Sequence, residues 1–398
     1  MSKIKYFFLL IVMHVVFVSS IYAQRDSMEI SLLTCTPGKA VYELYGHTAI
    51  RCRFLNSGGE DWVFNYGVFD FSEPHFISRF VKGECIYRIG ALPFNIFLKE
   101  YEQRGSAVYQ QVLNLTNEEK MKLWEILITN MQPENQKYLY NFFYDNCTTR
   151  ARDRIEDAID GKVIYPKADT LRTFRTIVHQ YTHEYPWAEL GNDLCLGADA
   201  DKTISERNEM FAPLYMKMYA DKAVIQGKDG AVRPLVKSTS EVVTGKEQPI
   251  EDEFPITPTQ MAWGMVCMIV ILIVIEQLAG KMFWGIDLLM MSLTGLIGVV
   301  VTFLFFFSIH PTVDSNWQIL VFNPLPLLVM PWVVYCTIKK RKTYFHFLNA
   351  ICLTLFIIFS VFIPQDFTPV VVPLALCLLL HSCSYLLTYR KGSLKRHA

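Results

Sequence analysis

Two short segments about a hundred residues apart carry the residue types best suited to chemistry. One is Tyr45-Gly46-His47-Thr48-Ala49-Ile50, a histidine in an apolar, strand-like run. The other is Asn146-Cys147-Thr148-Thr149-Arg150, a cysteine at the mouth of a predicted helix. Thiol chemistry needs that partnership. The thiolate is the nucleophile, and a nearby imidazole takes its proton. A helix N-terminus carries partial positive charge and stabilises a thiolate. Arg150, Arg152 and Arg154 add to that charge. Each residue alone is ordinary, since most lone cysteines are buried and inert. A histidine on an apolar strand is usually a satisfied core residue. The pair together points to nucleophilic catalysis.

Residues 24–225 are long enough for one sizeable exported core that would position this pair. Tyr42 to Arg53 reads as a strand. Asp61 to Gly67 reads as a second, after the turn Asn56-Ser57-Gly58-Gly59. Cys85 to Ile89 and Ala107 to Leu115 are further strand candidates. Thr116-Asn117-Glu118-Glu119 matches a capping box. The helix it opens has Met121, Trp124, Leu127, Ile128 and Met131 at helical spacing. The helix starting at Cys147 puts Ala151, Ile155 and Ala158 on one face. The polar stretch 226–260, with Gly227, Gly230 and Gly245, reads as a linker.

The flanking segments give an address. Residues 1–23 read as a secretory signal, with Lys3 and Lys5 before an apolar stretch and cleavage after Ala23. Five apolar stretches lie at 261–279, 284–308, 320–338, 346–363 and 369–389, within a membrane domain spanning 261–389. Pro324, Pro326 and Pro331 interrupt the third, which membranes tolerate when neighbours satisfy the freed carbonyls. If the N-terminal domain is exported, the loops facing the cytoplasm carry Lys281, then Lys339, Lys340, Arg341 and Lys342. The tail 390–398 adds Arg390, Lys391, Lys395 and Arg396. The opposite loops, Ser308–Trp317 and Pro364–Thr368, carry no Lys or Arg. This asymmetry predicts a multi-pass membrane protein with its N-terminal domain exported and its C-terminus cytoplasmic.

Composition agrees with that address and excludes others. Hydrophobic residues make up 52% of the 398-residue chain, too many for a purely soluble protein. Net formal charge is +0, and no basic run interleaves with aromatics outside the membrane-flanking loops, so nucleic acid is not an expected partner. Of ten cysteines, five are exported: Cys35, Cys52, Cys85, Cys147 and Cys195. An odd number cannot all pair, so at least one stays free or pairs with another chain. No CxxC or HExxH spacing occurs, so neither a metal nor a cofactor is expected.

His-before-Cys order and the Asn146-Cys147 pair resemble the circularly permuted papain-like (NlpC/P60-like) proteins, including lecithin:retinol acyltransferase-like enzymes. That pattern is Tyr-x-His on a strand, a polar ring or amide on the next, then Asn-Cys opening a helix. Tyr45-Gly46-His47 matches its first part. Asn65, within Val63-Phe64-Asn65, stands where those enzymes usually carry a second His. The whole chain is more similar still to the Bacteroidota-type lipoprotein N-acyltransferases. The resembling stretches are Tyr45–Ile50, Asn65-Tyr66-Gly67 with Phe69-Asp70-Phe71, Asp145–Asp153, Ser308-Ile309-His310-Pro311 and Asn323-Pro324.

The resemblance implies an α+β permuted papain-like exported domain followed by an all-α five-helix transmembrane domain. It also implies a location, the bacterial inner membrane with the catalytic domain periplasmic, and a reaction. An acyl chain leaves a phospholipid, rests on the enzyme as a thioester, and moves to the N-terminal amine of a diacylglyceryl-cysteine lipoprotein. The expected partners are that donor, that diacylated lipoprotein acceptor and membrane lipids. In this reading His47 deprotonates Cys147 and then the attacking amine. Asn65 holds the imidazole tautomer, since an amide amid Val63, Phe64 and Tyr66 needs hydrogen-bond partners. Tyr45, two residues before His47, would share its strand face and offer an oxyanion donor with the Cys147 N–H. Tyr66, Arg150 and His310 are the expected substrate contacts, His310 with Asp314 in an exported loop. Phe142, Phe143 and Tyr144 would shield the thioester from water. Glu276 and Asp287 lie near the cytoplasmic ends of their spans and read as structural. Three alternatives compete with acyl transfer: a papain-like cell-wall peptidase or amidase, a phospholipid hydrolase, and a non-catalytic assembly factor.

Overall fold

The computed structural model describes residues 28–55, 59–70, 72, 74–246 and 254–394. The leader at 1–23, the turn residues 56–58, Phe71 and the last residues of the basic tail lie outside the described residues. Two compact units result. The first comprises residues 1–76, 84–172 and 204–249; the second comprises 77–83, 173–203 and 250–398.

Among the described residues, the first unit has strands β1 (Met28–Cys35), β2 (His47–Phe54), β3 (Asp61–Val68), β4 (Ile86–Pro93) and β5 (Val108–Leu113). They continue as β6 (Lys137–Leu139), β7 (Gly161–Ile164), β8 (Val224–Gly227), β9 (Val232–Pro234) and β10 (Val236–Val243). Seven form one sheet in the order β10-β5-β1-β2-β3-β4-β6, and β7-β8-β9 form a smaller one. Every pairing is antiparallel.

Side chains alternate across a strand, so one strand feeds two cores. Met28, Ile30 and Leu32 of β1 enter the main core, while Leu33 and Cys35 enter a smaller one on the other face. The smaller core is closed by Phe97 and Tyr101 of helix Phe94–Arg104. The main core is closed by Leu123 and Leu127 of helix Asn117–Asn130 and by Ala151, Ile155 and Ala158 of helix Cys147–Ala158. The Thr116 capping box forms as expected, Thr116 Oγ1 accepting from Glu119 N and Glu119 Oε2 accepting from Thr116 N. In that helix the buried stripe is Leu123 and Leu127, flanked by Met121 and Trp124, whereas Ile128 is exposed.

Two expectations about local structure are corrected. Tyr42 to Gly46 is not strand. Val41–Glu43 is a 3-10 turn, and β2 begins at His47. Gly46 forces this, with φ +76° and no room for a Cβ, which would lie 2.4 Å from the Cys35 carbonyl oxygen. The stretch expected to be a linker also folds through residue 243. It supplies β9, β10 and the second half of β8, with β10 on the edge of the main sheet beside β5. Its polar sequence hid this, because an exposed edge strand needs no apolar face.

The second unit holds five helical segments long and apolar enough to cross a membrane: Pro258–Ala279, Trp284–Phe307, Trp317–Ile338, Phe345–Phe362 and Val371–Tyr389. The proline-rich third segment is a 3-10 turn at Trp317–Leu320 followed by a helix over Leu325–Ile338. Gly298 lets it approach the second span, because a Cβ there would sit 2.3 Å from the Asn323 carbonyl carbon. Asp287 and Glu276 are fully buried and hydrogen-bonded. Asp287 accepts from Thr337 Oγ1 at 2.9 Å and lies 2.7 Å from His381 Nε2, and Glu276 accepts from Phe283 N at 2.8 Å.

Residues 173–203, read from sequence as part of one continuous exported domain, belong to this second unit. Buried Arg175 organises them, with Asp193 and Asp201 each at 2.6 Å. Gln318 Nε2 then donates to the Asp193 carbonyl at 2.6 Å and Asn316 Nδ2 to the Leu194 carbonyl at 2.8 Å. Partners this far apart in sequence leave no periodic signal.

The turn before β2 generates the first prediction. Gly46→Ala meets both a left-handed φ and the Cys35 carbonyl, and should destabilise the chain by roughly 1–3 kcal/mol. Gly230→Ala has the same sign of φ but open space around it. It should cost clearly less in a denaturant titration of the two variants in detergent. Equal losses would show that the close approach to Cys35 does not matter.

Candidate active site

Backbone geometry brings the cysteine forward. Asn141 and Asp145 form an isolated antiparallel bridge, and Asn141 Oδ1 accepts from the N–H groups of Phe143 and Tyr144 at 3.2 and 3.1 Å. The chain turns and Asn146 caps the next helix, its Oδ1 accepting from Thr148 N at 2.8 Å and Thr149 N at 2.9 Å. Thr149 Oγ1 returns the contact by accepting from Asn146 N at 2.8 Å. The amide nitrogen of Asn146 donates to the Phe142 and Phe211 carbonyls at 2.8 and 2.9 Å. Every polar atom of the cap is therefore used, and Cys147 is fixed as the first helical residue.

The histidine comes from the start of β2 and is half-buried. A buried hydrogen bond between the Thr48 and Thr148 hydroxyls, 3.0 Å long, ties its strand to the cysteine helix. Asn65 on β3 places Oδ1 3.0 Å from His47 Nε2. Its amide nitrogen donates to the Val63 carbonyl at 3.3 Å, which fixes which end of the amide faces the ring. Nε2–H is then the donor to Asn65, and Nδ1 remains as the acceptor of a neutral ring. Opposite the thiol, β3 carries a register shift between Asn65 and Val68. Gly67 sits in it with φ +89°, and a Cβ there would lie 3.5 Å from the Cys147 Cβ.

Electrostatics separate this thiol from others in the chain. Burial pushes the Cys147 thiol up, but the charge of His47 and its hydrogen bond pull it down. Hydrogen bonds from the Thr48 N–H and the Thr148 hydroxyl act in the same direction, and the thiol ends below its ordinary value. Burial lowers His47, yet the Cys147 charge, the hydrogen bond to it and that to Asn65 raise the ring above its ordinary value. Both shifts run in the direction of a thiolate–imidazolium pair. Cys35, Cys52 and Cys195 are all pushed up, burial being the first cause in each. None of the exported cysteines is in a disulfide.

The other expected site residues are placed differently from one another. Tyr45 lies in the turn before β2, so strand alternation does not orient it; its ring packs edge-on against Phe142 at 4.9 Å. Tyr66 is a core residue, 2% exposed, its hydroxyl accepting from Asn130 Nδ2 at 2.6 Å, so it offers a substrate no surface. Arg150 pairs with Asp145 through two hydrogen bonds, at 2.6 and 2.7 Å, and lies over the Tyr138 ring. It braces the loop before the cysteine. His310 belongs to the second unit, where its Nε2 donates to the Phe80 carbonyl at 2.6 Å. Of the aromatic trio, Phe143 is buried against Phe211, Phe142 packs edge-on against Tyr45 and Phe211, and Tyr144 is exposed.

The sequence reading missed Thr48 and Thr148, although each directly follows a residue it singled out. It quoted Asn146 without seeing a cap, despite the capping-box spacing of Asn146 and Thr149. Among the described residues, one group has the donors and spacing for a metal: His179, Glu189 and Asp193. Its carboxylates are already engaged, Asp193 by Arg175 and His179, and Glu189 by the Thr182 hydroxyl at 3.2 Å. The Arg175 charge also opposes a cation there.

Comparison with known proteins gives two matches along the chain. Residues 22–180 match the family model for an Lnb N-terminal periplasmic domain. Residues 249–392 match that for an Lnb transmembrane domain. No curated protein and no solved structure matches the chain.

The thiol–imidazole contact generates a pH prediction. A thiol below its ordinary value is thiolate at lower pH, so Cys147 should be alkylated by iodoacetamide with a midpoint under that of a free thiol. His47→Ala removes the stabilising charge while burial persists. Its alkylation midpoint should therefore move upward by at least about one pH unit, a tenfold loss of thiolate at fixed pH. An unchanged profile would show that the two side chains are not partnered.

Proposed function

The chain belongs to the Lnb family, a membrane protein with a periplasmic N-terminal domain, and from that premise we propose that it is a lipoprotein N-acyltransferase. The observation that carries the proposal is the Cys147 thiol, lowered by contact with His47 in a domain where burial raises the thiols of Cys35 and Cys52. The thiolate attacks the ester carbonyl of a phospholipid. A carbon–sulfur bond forms, the ester carbon–oxygen bond breaks, and His47 gives its proton to the departing lysophospholipid oxygen. The acyl group now rests on Cys147 as a thioester. The amine of a diacylglyceryl-cysteine attacks the thioester carbon and His47 takes a proton from it. The thiolate leaves, and the lipoprotein carries a new amide.

Each chemical role falls to a residue already placed. Cys147 is the nucleophile and His47 the base and acid. Asn65 is a positioning residue that holds the ring through Nε2. Tyr45 and the Cys147 N–H are the proposed oxyanion donors. A membrane domain suits this chemistry because both substrates are lipids. Confinement to one surface replaces a bimolecular search by positioning. The loop charges support a C-terminus in the cytoplasm.

The test uses the full chain in phospholipid vesicles with a synthetic diacylated lipopeptide. Mass spectrometry should find one acyl chain added at the N-terminal amine. Cys147→Ser should lower the rate by at least about a thousandfold while membrane insertion is retained. Free fatty acid accumulating with the lipopeptide unchanged would make the protein a phospholipid hydrolase. Full activity in Cys147→Ser would remove the thioester route.

A further inference from the structure

A phenol near Cys147 has no task in the reaction described above. Tyr138 lies on β6, opposite Tyr87 of β4. Its side chain is buried; the Gly67 N–H is directed at its oxygen, but its hydroxyl proton has no acceptor among the described residues. A buried polar group left unmatched costs about 1–3 kcal/mol, so each such group calls for an explanation. The ring is firmly held. The Arg150 guanidinium lies 3.6 Å over its face and is itself pinned by Asp145. Tyr66 packs edge-on at 6.3 Å.

The direction of the hydroxyl explains why Gly67 matters. A Cβ built on Gly67 would stand 3.5 Å from the Cys147 Cβ and 4.0 Å from the Tyr138 hydroxyl oxygen. The missing side chain therefore leaves space between the phenol and the nucleophile. Burial, and after it the Cys147 charge, hold the phenol well above its ordinary value. Tyr138 stays protonated and is a donor at any working pH. A donor with no acceptor, facing space beside a nucleophile, suits a group that is negative only during reaction.

We propose that the Tyr138 hydroxyl is a catalytic hydrogen-bond donor to the oxyanion formed when Cys147 attacks an acyl carbonyl. The inference rests on the acyl-transfer reading of the same site. As the carbon–sulfur bond forms, the carbonyl electron pair moves onto oxygen. Tyr138 donates to that oxygen without losing its proton. The carbonyl re-forms as the leaving oxygen departs with the proton of His47.

The experiment compares two reactions of Cys147 in the full chain, wild type and Tyr138→Phe. Acylation by p-nitrophenyl butyrate passes through a tetrahedral oxyanion and releases a coloured burst. Alkylation by iodoacetamide forms no oxyanion. The burst rate should fall roughly ten- to thousandfold, the range for losing one oxyanion donor. The alkylation rate and its pH profile should change less than twofold. An unchanged burst overturns the proposal. So does an equal fall in both reactions, which would mark a structural role, or a wild-type protein that is alkylated but gives no burst. The butyrate burst needs no lipid or lipopeptide. If it falls in Tyr138→Phe while the lipopeptide gains no acyl chain in the transfer assay, the donor assignment stands and the acceptor assignment fails.

Discussion

The candidate site depends on one buried hydrogen bond, between Thr48 and Thr148. Each threonine directly follows the residue it serves, His47 or Cys147. The bond joins a strand to a helix about a hundred residues later, so neither local sequence can set the distance between thiol and imidazole. Both threonines are fully buried, and removing one partner strands the other without water. Thr48 acts a second time through its N–H, which points to the Cys147 sulphur, and Thr148 through its hydroxyl, 3.8 Å from that sulphur. The same two residues thus align the helix and help hold the charge.

Around that bond the polar groups are arranged without waste. Asn146 spends both ends of its amide on the backbone, so it cannot rotate toward a substrate. Arg150 is likewise committed to Asp145 and the Tyr138 ring. Both flank the cysteine, and Arg150 reads in sequence as a substrate contact. Their bonds make them scaffold. The groups left for chemistry are the sulphur and the His47 ring, bonded to each other, and the Tyr138 hydroxyl proton, which has no acceptor among the described residues.

The parts of this arrangement legible in sequence were those with short-range signatures. The Thr116 capping box, the Ala151–Ile155–Ala158 face and five apolar spans follow directly from periodicity and caps. His47, Asn65 and Cys147 were found by residue type and order, and the structure brings their side chains together. What stayed hidden rests on long-range polar contacts or on exposed backbone. Tyr45 falls in a turn because of one carbonyl of a neighbouring strand, that of Cys35. β10 is polar because it is an edge. Residues 173–203 belong to the second unit because the Asp193 and Leu194 carbonyls accept from Gln318 and Asn316, 125 and 122 residues later. Tyr138 carried no signal at all, since a strand tyrosine is ordinary until its hydroxyl proton is seen to lack an acceptor.

The central claim is that Cys147 carries an acyl group during turnover. Intact-protein mass spectrometry of the full chain after incubation with a single defined phospholipid, without acceptor, addresses it directly. The account predicts a gain of one acyl chain, mapped to the Cys147 peptide, released by neutral hydroxylamine as thioesters are, and absent from Cys147→Ser. A protein that stays unmodified under conditions where it turns over lipid, or an adduct that persists in Cys147→Ser, would contradict it.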